Sequence, residues 1–458
     1  GASGMRRRAR PAKIEPPKIN RSAIGGNAML AWLRDLTSRE RRTMLACWGG
    51  WTLDGFDQQL YSYVVPTVIA VWGMSTGAAG TIGTVTVVTS AFGGWFAGAL
   101  ADRFGRVRML QIAILWYSVF TFLCGFAQNF EQLFILRGLH GLGFGGEWAT
   151  GAVLMGEVIR DKYRGRGVGF VQTGAAVGPG LAALVYAGLY TVLPETIAWR
   201  ALFWVGILPG LFVLWIRRSI PESEAFEGRR AVVAPPGMAH LLSAFRGPYL
   251  WLTIKVSLMV MGAQGGVWAV GFWMPTYLRT VRHLSASGTG LYVAVQQFGA
   301  LIGFLLGAYL ADAIGRKSTF MISAIATIIM VLVYLYVPVG DTGLLLLGIP
   351  LNTAILMKFA PMGPFMTELY PTNIRGTGQG FCYNAGRAIG SVFMTAIGFA
   401  TVVMPLGTAI ALFSTLAHAL MIVMLLLLPE TRGRTIASLE AEAPGAAAYP
   451  SRSAVGRS

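Results

Sequence analysis

Read from its amino end, the chain alternates between long apolar runs and short polar breaks. A polar, basic stretch comes first, and apolar runs then lie near 44–70, 79–101, 109–127, 132–156, 168–190 and 199–216. The segment RRSIPESEAFEGRRAVVAPPG interrupts the pattern. Six more runs follow near 249–278, 287–311, 318–337, 343–366, 377–400 and 406–428. A helix of about twenty apolar residues crosses roughly 30 Å of hydrocarbon. The pattern therefore predicts an all-α membrane protein of twelve spans, numbered here 1 to 12 in chain order. It divides into a basic tail (1–43), a six-helix bundle (44–216), a linker (217–248), a second six-helix bundle (249–428) and a second tail (429–458).

Composition agrees with this. Only 12% of residues are charged against 54% hydrophobic, whereas soluble domains carry about 25% charged residues. The net charge of +17 would suit nucleic acid, but its distribution points elsewhere. Lys and Arg crowd residues 1–43, the breaks near 103–108, 160–166 and 316–317, the linker and the second tail. The alternate breaks near 73–78, 127–131, 191–199, 338–342 and 400–407 hold none, and only Arg279 and Arg282 depart from the rule. Such alternation is the positive-inside pattern, with both termini cytoplasmic. The bilayer is thus the expected partner, and nucleic acid is not. The basic start is not the n-region of a cleavable signal peptide. Cys47, Cys124 and Cys382 stand in separate spans without metal-ligand spacing, so neither a disulfide framework, a metal nor a cofactor is expected.

The two bundles repeat one another. GALADRFGRVR from Gly98 answers GAYLADAIGRK from Gly307, and Glu157 stands seven residues before RGRGVGF as Glu368 does before RGTGQGF. Parallel repeats of this kind place a substrate site between two halves near the membrane midplane. These stretches resemble the loop signatures of the major facilitator superfamily, LRGLHGLGFGG resembles its fourth-span signature, and PETRGR at 429–434 resembles a common family ending. LDGFD, GEW, WRALFWVGILPGLFVLWIRRSIPES and RGTGQGF are similar to the bacterial organic-anion branches, sialate:proton symporters and neighbouring aromatic-acid and metabolite:proton symporters. The resemblance implies gating charges at Asp102, Arg106, Asp312, Arg316, Glu157, Arg164, Glu368 and Arg375, where spans emerge on the cytoplasmic side. The glycines of LRGLHGLGFGG follow no strand, so close helix packing explains them better than a dinucleotide loop.

Within the spans stand Asp54, Asp57, Arg137, Glu147, Lys255, Lys358 and Arg387. Each costs about 2.5–3.5 kcal/mol at mid-helix, which makes function the default reading. The acids fall in the first half and the bases dominate the second. Lys255, close to a span end, is expected to snorkel. The repeat offset carries Glu147 onto Lys358, so these two are expected to approach one cavity from opposite halves. Arginine's planar fork grips a carboxylate through two hydrogen bonds. Arg387 is therefore the first expected anion ligand and Lys358 the second, with Trp148 and Tyr383 on the cavity wall. Asp54, Asp57 and Glu147 suit proton coupling, sharing a titratable proton in low dielectric. Arg137 serves either in that coupling or as a structural partner of a span 1 acid. His140, one turn from Arg137, is expected to be a packed neutral residue.

The expected function is import of an organic monoanion by proton symport, in a monomer of a bacterial inner membrane. GAAVGPGLAA in span 5 partly resembles an antiporter motif, which keeps a proton-coupled exporter of a drug or metabolite as the alternative. A sensor would have lost the gating charges. An enzyme would need a triad, a metal cluster or a phosphate loop on a water-facing segment.

Overall fold

The computed structural model describes residues 33–160, 163–219, 245, 249–371 and 374–432. Within them, the side chains at 98–99, 101–103, 106, 146–157, 164–166, 168, 213–214 and 216–219 fall outside the described set. The tails before 33 and after 432, and most of the expected linker, lie outside it too.

Among the described residues seventeen helices form twelve rods. The first half holds α1 (Ser38–Trp72), α2 (Thr76–Phe104), α3 (Arg106–Cys124), α4 (Phe130–Val158), α5 (Arg164–Gln172), α6 (Gly174–Val192), α7 (Glu195–Val205) and α8 (Leu208–Ser219). In the second half are α9 (Tyr249–Gly271), α10 (Met274–Thr280), α11 (Ala286–Ala313), α12 (Arg316–Tyr336) and α13 (Asp341–Met357). It closes with α14 (Phe359–Leu369), α15 (Arg375–Gly390), α16 (Val392–Ala400) and α17 (Leu406–Leu426). Five rods are broken pairs: α5–α6, α7–α8, α9–α10, α13–α14 and α15–α16 make spans 5, 6, 7, 10 and 11.

The breaks have local causes. Pro361 has no N–H for the Met357 carbonyl four residues back, and the span 10 break falls between them at Lys358. At Ser391 and Thr173 the hydroxyls donate to Ala388 and Phe170 carbonyls, drawing off the helical acceptors. Span 1 starts at a capping box in which Thr37 and Glu40 satisfy each other's backbone N–H groups. It stops at Gly73, whose φ of 60° is left-handed. Seven of the rods are apolar and long enough to cross a membrane by composition alone. Spans 1 and 4 fall short of that measure because aspartates, glycines and other polar residues dilute them.

Packing shows the repeat. Span 2 lies against span 4 as span 8 lies against span 10, and span 1 against 5 as 7 against 11. Close approaches correspond as well. A Cβ on Gly93 would strike the Leu142 carbonyl, and one on Gly303, at the matching position, would strike the Thr353 carbonyl. Glycine at these two places lets backbone meet backbone. In the fourth-span signature the same holds for Gly145 against the Ser90 carbonyl and Gly141 against the Thr86 carbonyl, so these two glycines serve packing.

The halves meet through spans 5 and 8 and through spans 2 and 11. On the face away from the linker they are tied by hydrogen bonds. Thr76 and Thr84 donate to the Gly398 and Ser391 carbonyls at 2.8 Å, and Thr395 donates to Thr84 at 2.8 Å. Arg279 donates to both carboxylate oxygens of Glu195 at 3.0 and 3.1 Å, from one half to the other. Towards the linker, Trp95 of span 2 stacks on Phe381 of span 11, with Phe245 edge-on to the same ring.

Candidate functional site

Between the halves lies a cavity of about 240 Å³. Spans 1, 4, 5, 7, 8, 10 and 11 supply its wall, which extends to Met366 and Gln379 near the linker-side ends of α14 and α15. Among the described residues, Asp54 is the acid on this wall and Arg387 the base. Arg387 is only 8% exposed. Its guanidinium carbon stands 5.1 Å from the centre of the Phe144 ring, and its Nη2 has no hydrogen-bond partner among the described residues. Tyr383, one helical turn before it, lines the same wall beside Gln264, within electrostatic reach of Arg387 and Asp54. Arg387, Tyr383 and Asp54 thus share one cavity wall.

What sequence reasoning missed is the neutral lining. Gln58, Gln59, Gln264, Gln296, Gln297, Asn352 and Gln379 all reach this wall. Amides donate and accept at once, so they suit a cargo with oxygens beyond its carboxylate. The available signal was their presence in otherwise apolar spans, where each unpaired amide is costly.

Lys358 requires a correction. It is fully buried, absent from the cavity wall, and placed 3.0 Å from Nε2 of His418 on span 12. His418 Nδ1 donates to the Ser414 carbonyl at 2.8 Å, which leaves Nε2 to accept from the lysine. The repeat matched Lys358 to Glu147 correctly in sequence, but the broken helix seats the lysine inside the second bundle. Glu147 and Trp148 have side chains outside the described set.

Asp57 is not on the cavity wall. Three residues along a helix is a rotation of roughly 300°, so neighbours at that spacing diverge by roughly 60°. Asp54 faces the cavity, whereas Asp57 is fully buried and hydrogen-bonded through Oδ2 to Nε2 of His140. His140 is therefore the partner of an acid and not merely packed, although its ring does pack against Tyr117 and Phe144. Arg137 is 2% exposed, lies 5.4 Å from the Tyr61 ring centre, and makes no ion pair with a described acid. It borders a second, smaller chamber of about 20 Å³ together with His140, Gln58, Phe144 and Trp268.

Of the gating set, the second-half charges gather around Arg316. Its guanidinium reaches Asp312 at 3.3 Å and Glu368 at 3.4 Å. Glu430 accepts from the backbone N–H groups of Arg316 and Lys317 at 3.2 and 3.1 Å, capping the positive end of α12. Thr431 donates to Glu368. Arg375 instead binds the Thr367 and Tyr370 carbonyls. The side chains of Asp102, Arg106, Glu157 and Arg164 lie outside the described residues. Lys255 reaches the Leu427 carbonyl at 3.5 Å near the linker side, consistent with snorkelling.

The sequence model of the Major Facilitator Superfamily matches residues 47–395. The chain belongs to this superfamily. It is 41% identical, over 94% of its length and 100% of the relative's, to a protein of Cupriavidus pinatubonensis named "Probable 4-methylmuconolactone transporter". It is 32% identical to the cis,cis-muconate transport protein of Acinetobacter baylyi, over 76% of this chain and 84% of that one. With the sialic acid transporter NanX of Escherichia coli it shares 29% identity, over 86% and 95%. The inward open xylose transporter XylE of E. coli superimposes with a TM-score of 0.70 at 20% identity, covering 87% of this chain and 98% of that one, which shows the fold. This superfamily member is a membrane transporter and not an enzyme.

Proposed function

We propose that the protein carries a small organic carboxylate into a bacterial cell by proton symport through alternating access. Arg387 carries this reading: a buried guanidinium with an open donor on the wall of an inter-bundle cavity. A carboxylate completes its hydrogen bonding, and the surrounding amides take up further oxygens. The relatives named for 4-methylmuconolactone, muconate and sialic acid carry cargo of that chemistry.

In this reading Arg387 is the anion ligand, with Tyr383 beside it, and Trp148 is assigned to the same cargo. Asp54, Asp57, Glu147 and Arg137 handle the proton. Asp312, Arg316, Glu368 and Arg375, with Asp102, Arg106, Glu157 and Arg164 in the first half, hold the cytoplasmic gate. The chain works as a monomer in the inner membrane, with both termini and the linker in the cytoplasm.

The test is uptake by purified protein in liposomes with the outer medium acidic. The panel contains 4-methylmuconolactone, cis,cis-muconate, sialate, gentisate and lactate. Accumulation of one acid that collapses with the pH gradient supports symport and names the cargo. Accumulation of none, with proton release triggered by lipophilic cations, assigns the chain to the exporters instead.

A further inference from the structure

Phe144 stands between the two charged sites. Its ring lies under the guanidinium of Arg387 at 5.1 Å and beside the ring of His140 at 5.7 Å. It lines both the 240 Å³ cavity and the 20 Å³ chamber. Arg387 belongs to the second bundle, whereas Phe144 and His140 belong to the first. Arg137, His140 and Phe144 follow one another at i, i+3 and i+7 on span 4, one face of the helix. The chamber behind the ring is mostly apolar, with Arg137, His140 and Gln58 on its wall. Arg137 Nε and Nη1 and His140 Nδ1, on residues of that wall, are buried with no hydrogen-bond partner among the described residues. A space of this size with two to four polar neighbours accommodates one water molecule.

We propose that Phe144 is the partition that couples the two sites, a positioning residue resting on the symport reading above. With the cavity empty, Arg387 holds the ring by its electronegative face and the ring shuts the chamber. A carboxylate that binds the guanidinium competes for the same charge and frees the ring to turn. Cavity water then reaches the chamber, and a proton passes from it to the hydrogen-bonded Asp57–His140 pair. The titratable and charged described groups facing that pair are Tyr61 on span 1, Tyr117 and Cys124 on span 3, and Arg137 on span 4. None of them is a second carboxylate. The anion and the proton therefore favour each other's binding across the ring, and this reciprocity is the coupling.

The experiment measures proton entry into cargo-free liposomes with an internal pH dye. Phe144→Leu removes the aromatic face and opens the partition. Its proton leak is expected to exceed that of the unsubstituted protein about tenfold, and adding His140→Gln is expected to abolish the excess. Phe144→Tyr keeps the ring and stays sealed. Phe144→Met, which preserves volume, replaces the leucine variant if that one does not elute as a folded monomer. A leak equal to the unsubstituted protein's in both Leu and Met variants overturns the proposal, and so does a leak that survives His140→Gln. No cargo is present, so failure here is separate from failure of the uptake panel.

Discussion

Replacing Arg387 by methionine tests the anion site directly, because methionine keeps a long unbranched side chain and removes every donor. Two charge-assisted hydrogen bonds to a carboxylate are worth about 1.5–3 kcal/mol each. The lower value is appropriate, since the guanidinium lies beside a 240 Å³ cavity and is not sealed in a dry core. Two such bonds then give about 3 kcal/mol, or about a hundredfold weaker binding. Arg387→Lys keeps the charge but loses the fork and is expected to cost about tenfold. Titration calorimetry in detergent measures both, using the acid identified by the uptake panel and its carboxamide. The unsubstituted protein should bind the acid about a hundredfold more tightly than the amide, and the methionine variant should barely distinguish them. An Arg387→Met variant that binds the acid within threefold of the unsubstituted protein refutes the assignment, whatever its transport rate.

Two further outcomes follow from contacts outside the cavity. Glu195 is 53% exposed and Arg279 17%, so this pair is worth less than about 1 kcal/mol and single neutralisations should change transport by no more than about fivefold. Cysteines at both positions, joined by a bifunctional thiol cross-linker, should instead halt transport, because the pair bridges the halves; undiminished transport by cross-linked protein rejects it as a latch. At the start of span 1, ahead of the apolar run, burial of Glu40 opposes its ionisation, but hydrogen bonds from Arg160 and Thr37 outweigh it and lower the pKa from 4.5 to about 2. With the folded value below the ordinary one, the stabilisation is complete above pH 4.5 and fades as the pH falls towards 2. Glu40→Gln should therefore melt below the unsubstituted protein at pH 7, with the gap narrowing below pH 4; a constant gap between pH 7 and pH 3 contradicts the assignment.

The twelve spans, the repeat and the Arg387 wall were legible because each rests on one-dimensional signals: apolar length, recurring loop residues, and a charge where a charge is expensive. The contacts of Lys358 were not. Its location depends on a helix break set by Pro361 and on His418, sixty residues away on span 12. Asp57 and His140 were each noticed, but their pairing joins spans 1 and 4 across 83 residues of chain. The rotation that separates Asp54 from Asp57 is too small for residue spacing alone to decide which one meets the cavity. Arg279 gave a signal that was visible without being interpretable. It departed from the charge alternation, and its reason is a partner, Glu195, on the other bundle.

That departure and the buried charges share one logic. The acids of the membrane interior lie in the first bundle and Arg387 in the second, so in the proposed reading anion and proton are received by bodies that rock against one another during transport. A contact within either bundle is carried along unchanged by such a motion. Asp57 with His140 and Lys358 with His418 are contacts of that kind, suited to keeping a charge state intact while the halves move. Contacts between bundles must be remade in each half-cycle, and those at membrane depth can read which sites are filled. Phe144 with Arg387 lies at that depth, whereas Glu195 with Arg279 lies at the rim. The rim pair can hold a face shut, whereas in the proposed reading the inner one touches both cargo chemistry and proton chemistry.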